Sequence, residues 1–136
     1  MAIFDWLHRK QKEHEPQPER QRATPVDNAI ARLNDDSDED RVVVAMELLK
    51  SLDSEVKAAI ASEIARLDIK AMGVWYELAN ALADDHEPLR MSSAETFWRL
   101  EGVGYAIRSL RDEYESSAHM SKESALRGIR ILKEAA

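Results

Sequence analysis

Val56-Lys57-Ala-Ala-Ile60-Ala-Ser-Glu-Ile64-Ala-Arg-Leu67 and Leu89-Arg90-Met-Ser-Ser-Ala-Glu-Thr-Phe97-Trp-Arg-Leu100 place a basic residue and two large apolar residues in register at an offset of 33. A further step of 32 brings Lys122, Ala125, Ile129 and Leu132 onto Arg90, Ser93, Phe97 and Leu100. In each copy the apolar residues recur three or four apart, the spacing of one helix face. Self-similarity at about 32 residues, room for two helices, is the signature of stacked helical hairpins. One hairpin of this length cannot bury its apolar faces alone, whereas neighbours stacked beside it share a continuous core. Arg41, Val44 and Leu48 fit the same pattern 16 residues before Lys57. That half period marks a helix of the other kind, or a start in a different frame.

Helical periodicity extends outward from these copies to most of the chain. Thr24-Pro25-Val26-Asp27 reads as an N-cap followed by proline at the first helical position, and a short helix runs on through Ile30 and Leu33. Residues 34–40 stop it and start a second, on which Val42, Ala45, Met46, Leu49 and Leu52 share a face. Val44 and Leu48 lie off that face, so this helix is expected to be covered on two sides. Asp53-Ser54 opens a third, with Val56, Ile60, Ile64 and Leu67 inward. The run 69–83 puts Ala71, Val74, Trp75, Leu78 and Leu82 on one face. Pro88 starts another helix, with Ala94, Phe97, Trp98 and Leu100 as its apolar positions. Val103, Ile107, Leu110 and Tyr114 mark the next, and Ala125, Ile129 and Leu132 the last. No window alternates with period two. The fold class is all-α.

Leu82-Ala-Asp-Asp-His-Glu-Pro-Leu-Arg90 and Leu33-Asn-Asp-Asp-Ser-Asp-Glu-Asp-Arg41 resemble the inter-repeat turn of HEAT-like repeats, in particular the short kind found in phycobilin lyases. That pattern is Leu, an acidic pair, a short turn, an apolar residue and Arg, then small residues and Leu on the first helix. Leu82, Asp84, Asp85, Pro88, Leu89, Arg90, Ala94, Phe97 and Leu100 carry it best. Asp40 stands where the pattern has an apolar residue, and 113–121 departs from it. The resemblance covers about 26–132 and implies a short right-handed α-solenoid of about three helix pairs, six to seven helices, over residues 25–136. It implies no single activity, because such repeats serve scaffolds, adaptors, lyase subunits and a few nucleic-acid enzymes. Residues 1–24 read as a separate piece. Ile3, Phe4 and Leu7, with Trp6 at their edge, form an apolar turn expected to cover an exposed end of the core, and a polar linker with Pro16 and Pro18 follows. Arg9, Lys10 and Lys12 leave a weaker reading of that turn as a membrane-surface or partner contact.

Composition removes several function classes. The 136 residues carry 26 acids against 19 bases, a formal net charge of -7. Each phosphate contact needs a Lys or Arg, so nucleic-acid binding is disfavoured. No run approaches the roughly 20 apolar residues of a membrane span, and no apolar stretch of signal-peptide length opens the chain. Zero cysteines remove disulfides, thiolate zinc sites and a thiol nucleophile. Asp36, Asp38, Asp40 and Glu47 match the spacing of a calcium loop. However, Arg41 stands where the sharp turn needs Gly, and Val42-Val43-Val44-Ala45 already reads as helix. His8, His14, His86 and His119 never pair at a ligand spacing within one helix, and no GxSxG or phosphate-cradling Gly loop occurs. Exposed carboxylates are too numerous for any two to be singled out as acid and base. The expectation is a cytoplasmic, non-enzymatic protein without cofactor, monomeric or weakly dimeric.

What remains is a surface. Tyr76 and Asn80 stand one turn apart, off the apolar stripe of their helix. Tyr105, Arg108 and Asp112 form a similar line on the helix after Gly104. The resemblance implies that second helices of successive pairs line a concave face, which would put these five residues in one groove for a protein or peptide partner. Tyr76, Tyr105 and Arg108 would carry recognition, as aromatics and Arg commonly do in interfaces, with Asn80 and Asp112 fixing polar groups. The plain alternative is a wetted helix face bearing two tyrosines. A bilin-lyase-like or chaperone-like subunit would instead require an apolar pocket able to hold a tetrapyrrole. A nucleic-acid enzyme would require Arg108, Arg111, Arg127 and Arg130 on one face.

Overall fold

Thr24 opens the first helix as a cap: its hydroxyl accepts the Asp27 N–H at 3.0 Å, and the Asp27 carboxylate accepts the Thr24 N–H at 3.3 Å. The computed structural model describes residues 24–35 and 37–136; the apolar turn at 3–7 and the linker expected before residue 24 lie outside them. The described residues form seven helices and no strand. These are α1 (Pro25–Asp35), α2 (Asp38–Leu49), α3 (Ser54–Arg66), α4 (Met72–Ala81), α5 (Glu87–Arg99), α6 (Val103–Ser116) and α7 (Lys122–Glu134). Asp53 caps α3 by accepting the N–H groups of Glu55 and Val56, and Ser121 caps α7 by accepting that of Ser124. Each side chain satisfies a donor that has no partner inside its helix.

The ends of α3 and α5 match as closely as their sequences. Asp68 and Glu101 follow them in the left-handed region, at φ 54° and 59°. Ile69 donates to the Ile64 carbonyl at 3.1 Å and Asp68 to Ala65 at 3.2 Å, while Gly102 donates to Phe97 at 2.8 Å and Glu101 to Trp98 at 3.4 Å. Both are Schellman closures, and equivalent residues lie 33 apart, the offset of the sequence repeat.

Packing sorts the helices into two layers. Helices α1, α3, α5 and α7 lie side by side in chain order, and α2, α4 and α6 do the same against them. Among the described residues, every extensive contact joins helices adjacent or next-but-one in the chain. Lys57, Arg90 and Lys122 therefore fall on helices of one layer, whereas Arg41 falls on α2 of the other. The half-period offset of Arg41 reflects that change of layer. The α3–α5 seam is the most extensive, because small residues let the two backbones approach. Ala61 on one side and Ser93, Ala94 and Thr96 on the other are all buried, and the Thr96 hydroxyl lies 2.7 Å from both the Ala61 and Ser92 carbonyl oxygens. Core residues from Leu33 on α1 to Leu132 on α7 form one cluster. Across layers, the Trp75 and Phe97 rings meet edge-on at 6.1 Å.

An ion pair within α3 is tied to α1 by hydrogen bonds with Asn34. Arg66 bonds Glu63 at 2.6 Å and the Asn34 side chain of α1 at 2.6 Å, and Asn34 returns a bond of 3.3 Å to Glu63. The Arg66 hydrogen bond lowers the Glu63 carboxyl from its usual value, burial opposes it, and the Asn34 bond and the Arg66 charge add to the lowering.

Four expectations from sequence need correction. Leu52 lies past the end of α2 and is fully exposed rather than sharing its inward face. The run 69–83 becomes helical only at Met72, because the left-handed turn at Asp68 leads into non-helical backbone through Ala71. Trp98 is 42% exposed; its indole N–H donates to the Leu132 carbonyl at 2.7 Å, closing one of the unpaired carbonyls at the end of α7. Tyr114 is also exposed. Helix α2 is already formed at Asp38, and Asp40 accepts a bond from the Ser37 hydroxyl at 2.9 Å. The stretch read against the calcium-loop spacing is thus helix through Glu47, and Asp36 lies outside the described residues.

Candidate functional site

Helices α4 and α6 leave between them an open cavity of about 150 Å³. Its base is apolar: Ala79 and Leu110 are buried and line it. On α4, fully buried Val74 and Leu78 fix the helix rotation. Tyr76 and Asn80, four residues apart, consequently stand together on the cavity wall. On α6, Leu110 points inward, so Ser109, Asp112 and Glu113 flank it and form the opposite wall. Met120 reaches in from the α6–α7 connection.

That connection is held by Glu113. Ser117 turns left-handed at φ 53° and donates to the Glu113 carbonyl at 2.7 Å. The Glu113 carboxylate pairs with His119 twice, through the backbone N–H at 3.0 Å and Nδ1 at 2.8 Å. Burial pushes the Glu113 carboxyl up, but the hydrogen bonds and charge of His119, with the Met120 N–H, hold it below its usual value.

Three of the five residues expected to share a groove do line one cavity: Tyr76, Asn80 and Asp112. Among the described residues, the Tyr76 hydroxyl, the Asn80 side-chain amide and the Asp112 carboxylate have no protein hydrogen-bond partner. Tyr105 is half-buried against Trp75, ring centroids 5.6 Å apart, and Arg108 donates to the Gly104 carbonyl at 3.4 Å. Neither lines the cavity. Ser109, Glu113 and Met120 were not anticipated. Ser109 was within reach of helical spacing, three residues before Asp112 on the same face, whereas Met120 is delivered by a turn with no sequence signal.

Other cavities are built differently. One of about 250 Å³ beside Leu49 is flanked by the pairs Lys50–Glu77 at 3.8 Å and Lys57–Asp84 at 3.9 Å. An apolar one of about 250 Å³ lies among Trp98, Val103, Ile107 and Leu132. Like the smaller α4–α6 cavity, both fall below the roughly 300–1,000 Å³ of ordinary small-molecule pockets. Of the four arginines considered for nucleic acid, Arg127 is paired with Asp85 at 2.6 Å. Among the described residues, no group of three or more His, Asp or Glu could hold a metal ion, and no helix is long and apolar enough to cross a membrane. Compared with protein families, curated proteins and solved structures, the chain matches none.

Proposed function

We propose that this chain is a cytoplasmic adaptor of the HEAT-like helical-repeat kind, monomeric or weakly dimeric, which binds a protein or peptide segment in the α4–α6 groove and catalyses no reaction. The repeat reading is supported by the two-layer order of the helices and by the matched closures of α3 and α5. It is supported too by the turns that suggested it. Arg41 donates to the carbonyls of Leu33 and Asn34, at 3.2 and 3.4 Å. Arg90 donates to those of Asp84 and Asp85, at 3.1 and 3.4 Å. In both turns the arginine ties down the chain just before its own helix.

The observation that carries the binding reading is the convergence of Tyr76, Asn80 and Asp112 on one cavity with their polar ends unpaired among the described residues. An aromatic with two polar groups around an apolar base is how a surface recognises a side chain. A cavity of about 150 Å³ suits one side chain rather than a cofactor. Peptide display on the immobilised full chain, followed by amide-shift mapping of the selected peptides, tests the reading. Selected peptides should shift resonances at 76–80 and 109–113 and weaken at least tenfold on Tyr76→Ala. Peptides that map elsewhere, or that bind Tyr76→Ala unchanged, overturn it.

A further inference from the structure

We infer that the α4–α6 cavity receives one arginine side chain from a basic peptide segment of the partner, an inference that rests on the adaptor reading above. Among the described residues, the lining contains two carboxylates, Asp112 and Glu113, and no Lys or Arg. Glu113 is engaged by His119, whereas Asp112 is free to accept. An acidic side chain entering here would meet two like charges, and an apolar one would strip water from Asp112 without replacing its hydrogen bonds. A cation satisfies both conditions.

Size and shape narrow the choice. At about 150 Å³ the cavity is on the scale of one extended side chain. Ala79 and Leu110 would cover an aliphatic stem, as long cationic side chains prefer. Tyr76 is 43% exposed at the mouth and offers a ring face on which a planar guanidinium stacks. Asp112 can then accept a forked pair of N–H groups, and the Asn80 side-chain oxygen a third. An ammonium would keep the charge contact but lose the stack and the fork. Arg108, one turn before Asp112, is turned to the Gly104 carbonyl and does not occupy the site.

The test titrates the isotope-labelled full chain with a seven-residue Gly/Ser/Ala peptide carrying a central Arg, and with the same peptide carrying Lys, norleucine or Glu. The Arg peptide should give saturable shifts at 76–80 and 109–113, and the Glu peptide none. Binding should weaken at least tenfold on Asp112→Asn and on Tyr76→Ala, but change less than threefold on Tyr76→Phe, which keeps the ring. The Lys peptide should bind at least threefold more weakly than the Arg peptide. Equal binding of the Lys, norleucine or Glu peptide overturns the assignment, as does an undiminished affinity in Asp112→Asn. If Asp112→Asn in the free protein shifts the resonances of Arg9, Arg20 or Arg22, the pocket belongs to the chain's own first residues and the partner assignment is overturned. Display-selected peptides that map to the groove without a required arginine would overturn this inference and leave the adaptor reading standing.

Discussion

Gly128→Ala and Gly104→Ala are the same chemical change, and the structure gives them opposite signs. Replacing Gly by Ala inside a helix is worth about 1 kcal/mol from propensity alone. Gly104 is exposed at the second position of α6, and a Cβ there would have nothing within 4 Å. Gly104→Ala should therefore stabilise by about 0.5–1 kcal/mol. Gly128 is buried within α7. A Cβ there would lie 3.0 and 3.1 Å from the Leu110 methyl carbons and 3.3 Å from Leu82 Cβ. Leu110 and Leu82 are themselves fully buried, and the Leu82 Cβ moves only with its backbone. Overpacking of this kind costs about 1–3 kcal/mol. Set against the propensity gain, the expected net is a loss of about 1 kcal/mol for Gly128→Ala. Urea unfolding followed by circular dichroism reads both as shifts of midpoint at constant slope, and each kcal/mol moves Tm by about 4–8 °C in domains of up to about 100 residues. A midpoint for Gly128→Ala that rises as far as that for Gly104→Ala would refute the seating of α7 on Leu110 and Leu82.

Asp68→Gly and Glu101→Gly should each stabilise by about 0.5–1 kcal/mol, since glycine adopts the left-handed conformation without the side-chain clash; a loss in urea midpoint at either site refutes the closure described there. Thr96→Val keeps the volume but removes the hydroxyl between α3 and α5, and should destabilise by about 1 kcal/mol. An unchanged midpoint would mean that the hydroxyl contributes nothing across the seam. Trp98→Phe should cost about 1 kcal/mol and speed amide exchange in the last turn of α7; exchange there at the wild-type rate would show that the indole does not hold that end. The Glu113 carboxyl lies below its ordinary 4.5 in the folded protein. Its contribution to stability is thus complete above the ordinary range and lost as pH falls through the lowered folded value. Glu113→Gln should flatten the fall of the urea midpoint below about pH 4.5, and an equally steep fall in the variant would exclude Glu113 as a source of the acid sensitivity.

Helix faces were readable because their signal is local. Val56, Ile60 and Ile64, or Ala125 and Leu132, need only the helical period to reveal them, and all five are buried. The features that sequence reasoning missed depend on what lies across a gap. Asp68 and Glu101 adopt a conformation that favours glycine, so their identities conceal the turn. Trp98 carries the composition of a core residue, but the free carbonyl of Leu132 draws its indole to the rim. At the candidate site, Tyr76, Asn80 and Asp112 were found from helical spacing, with the repeat supplying the idea that α4 and α6 are neighbours. Tyr105 faces Trp75 rather than Tyr76, and its ring packs on that aromatic outside the cavity.

The restriction of extensive contacts to helices adjacent or next-but-one bears on how the chain reaches this state. Among the described helices no long segment must be closed into a loop before packing rewards it, so the entropic barrier to the first productive encounter is small. Assembly can nucleate at the α3–α5 seam and spread toward both termini, each added helix docking on one already in place. Damage in α7 falls first on α5 and α6, the helices it packs against, and reaches α1 only through the helices between.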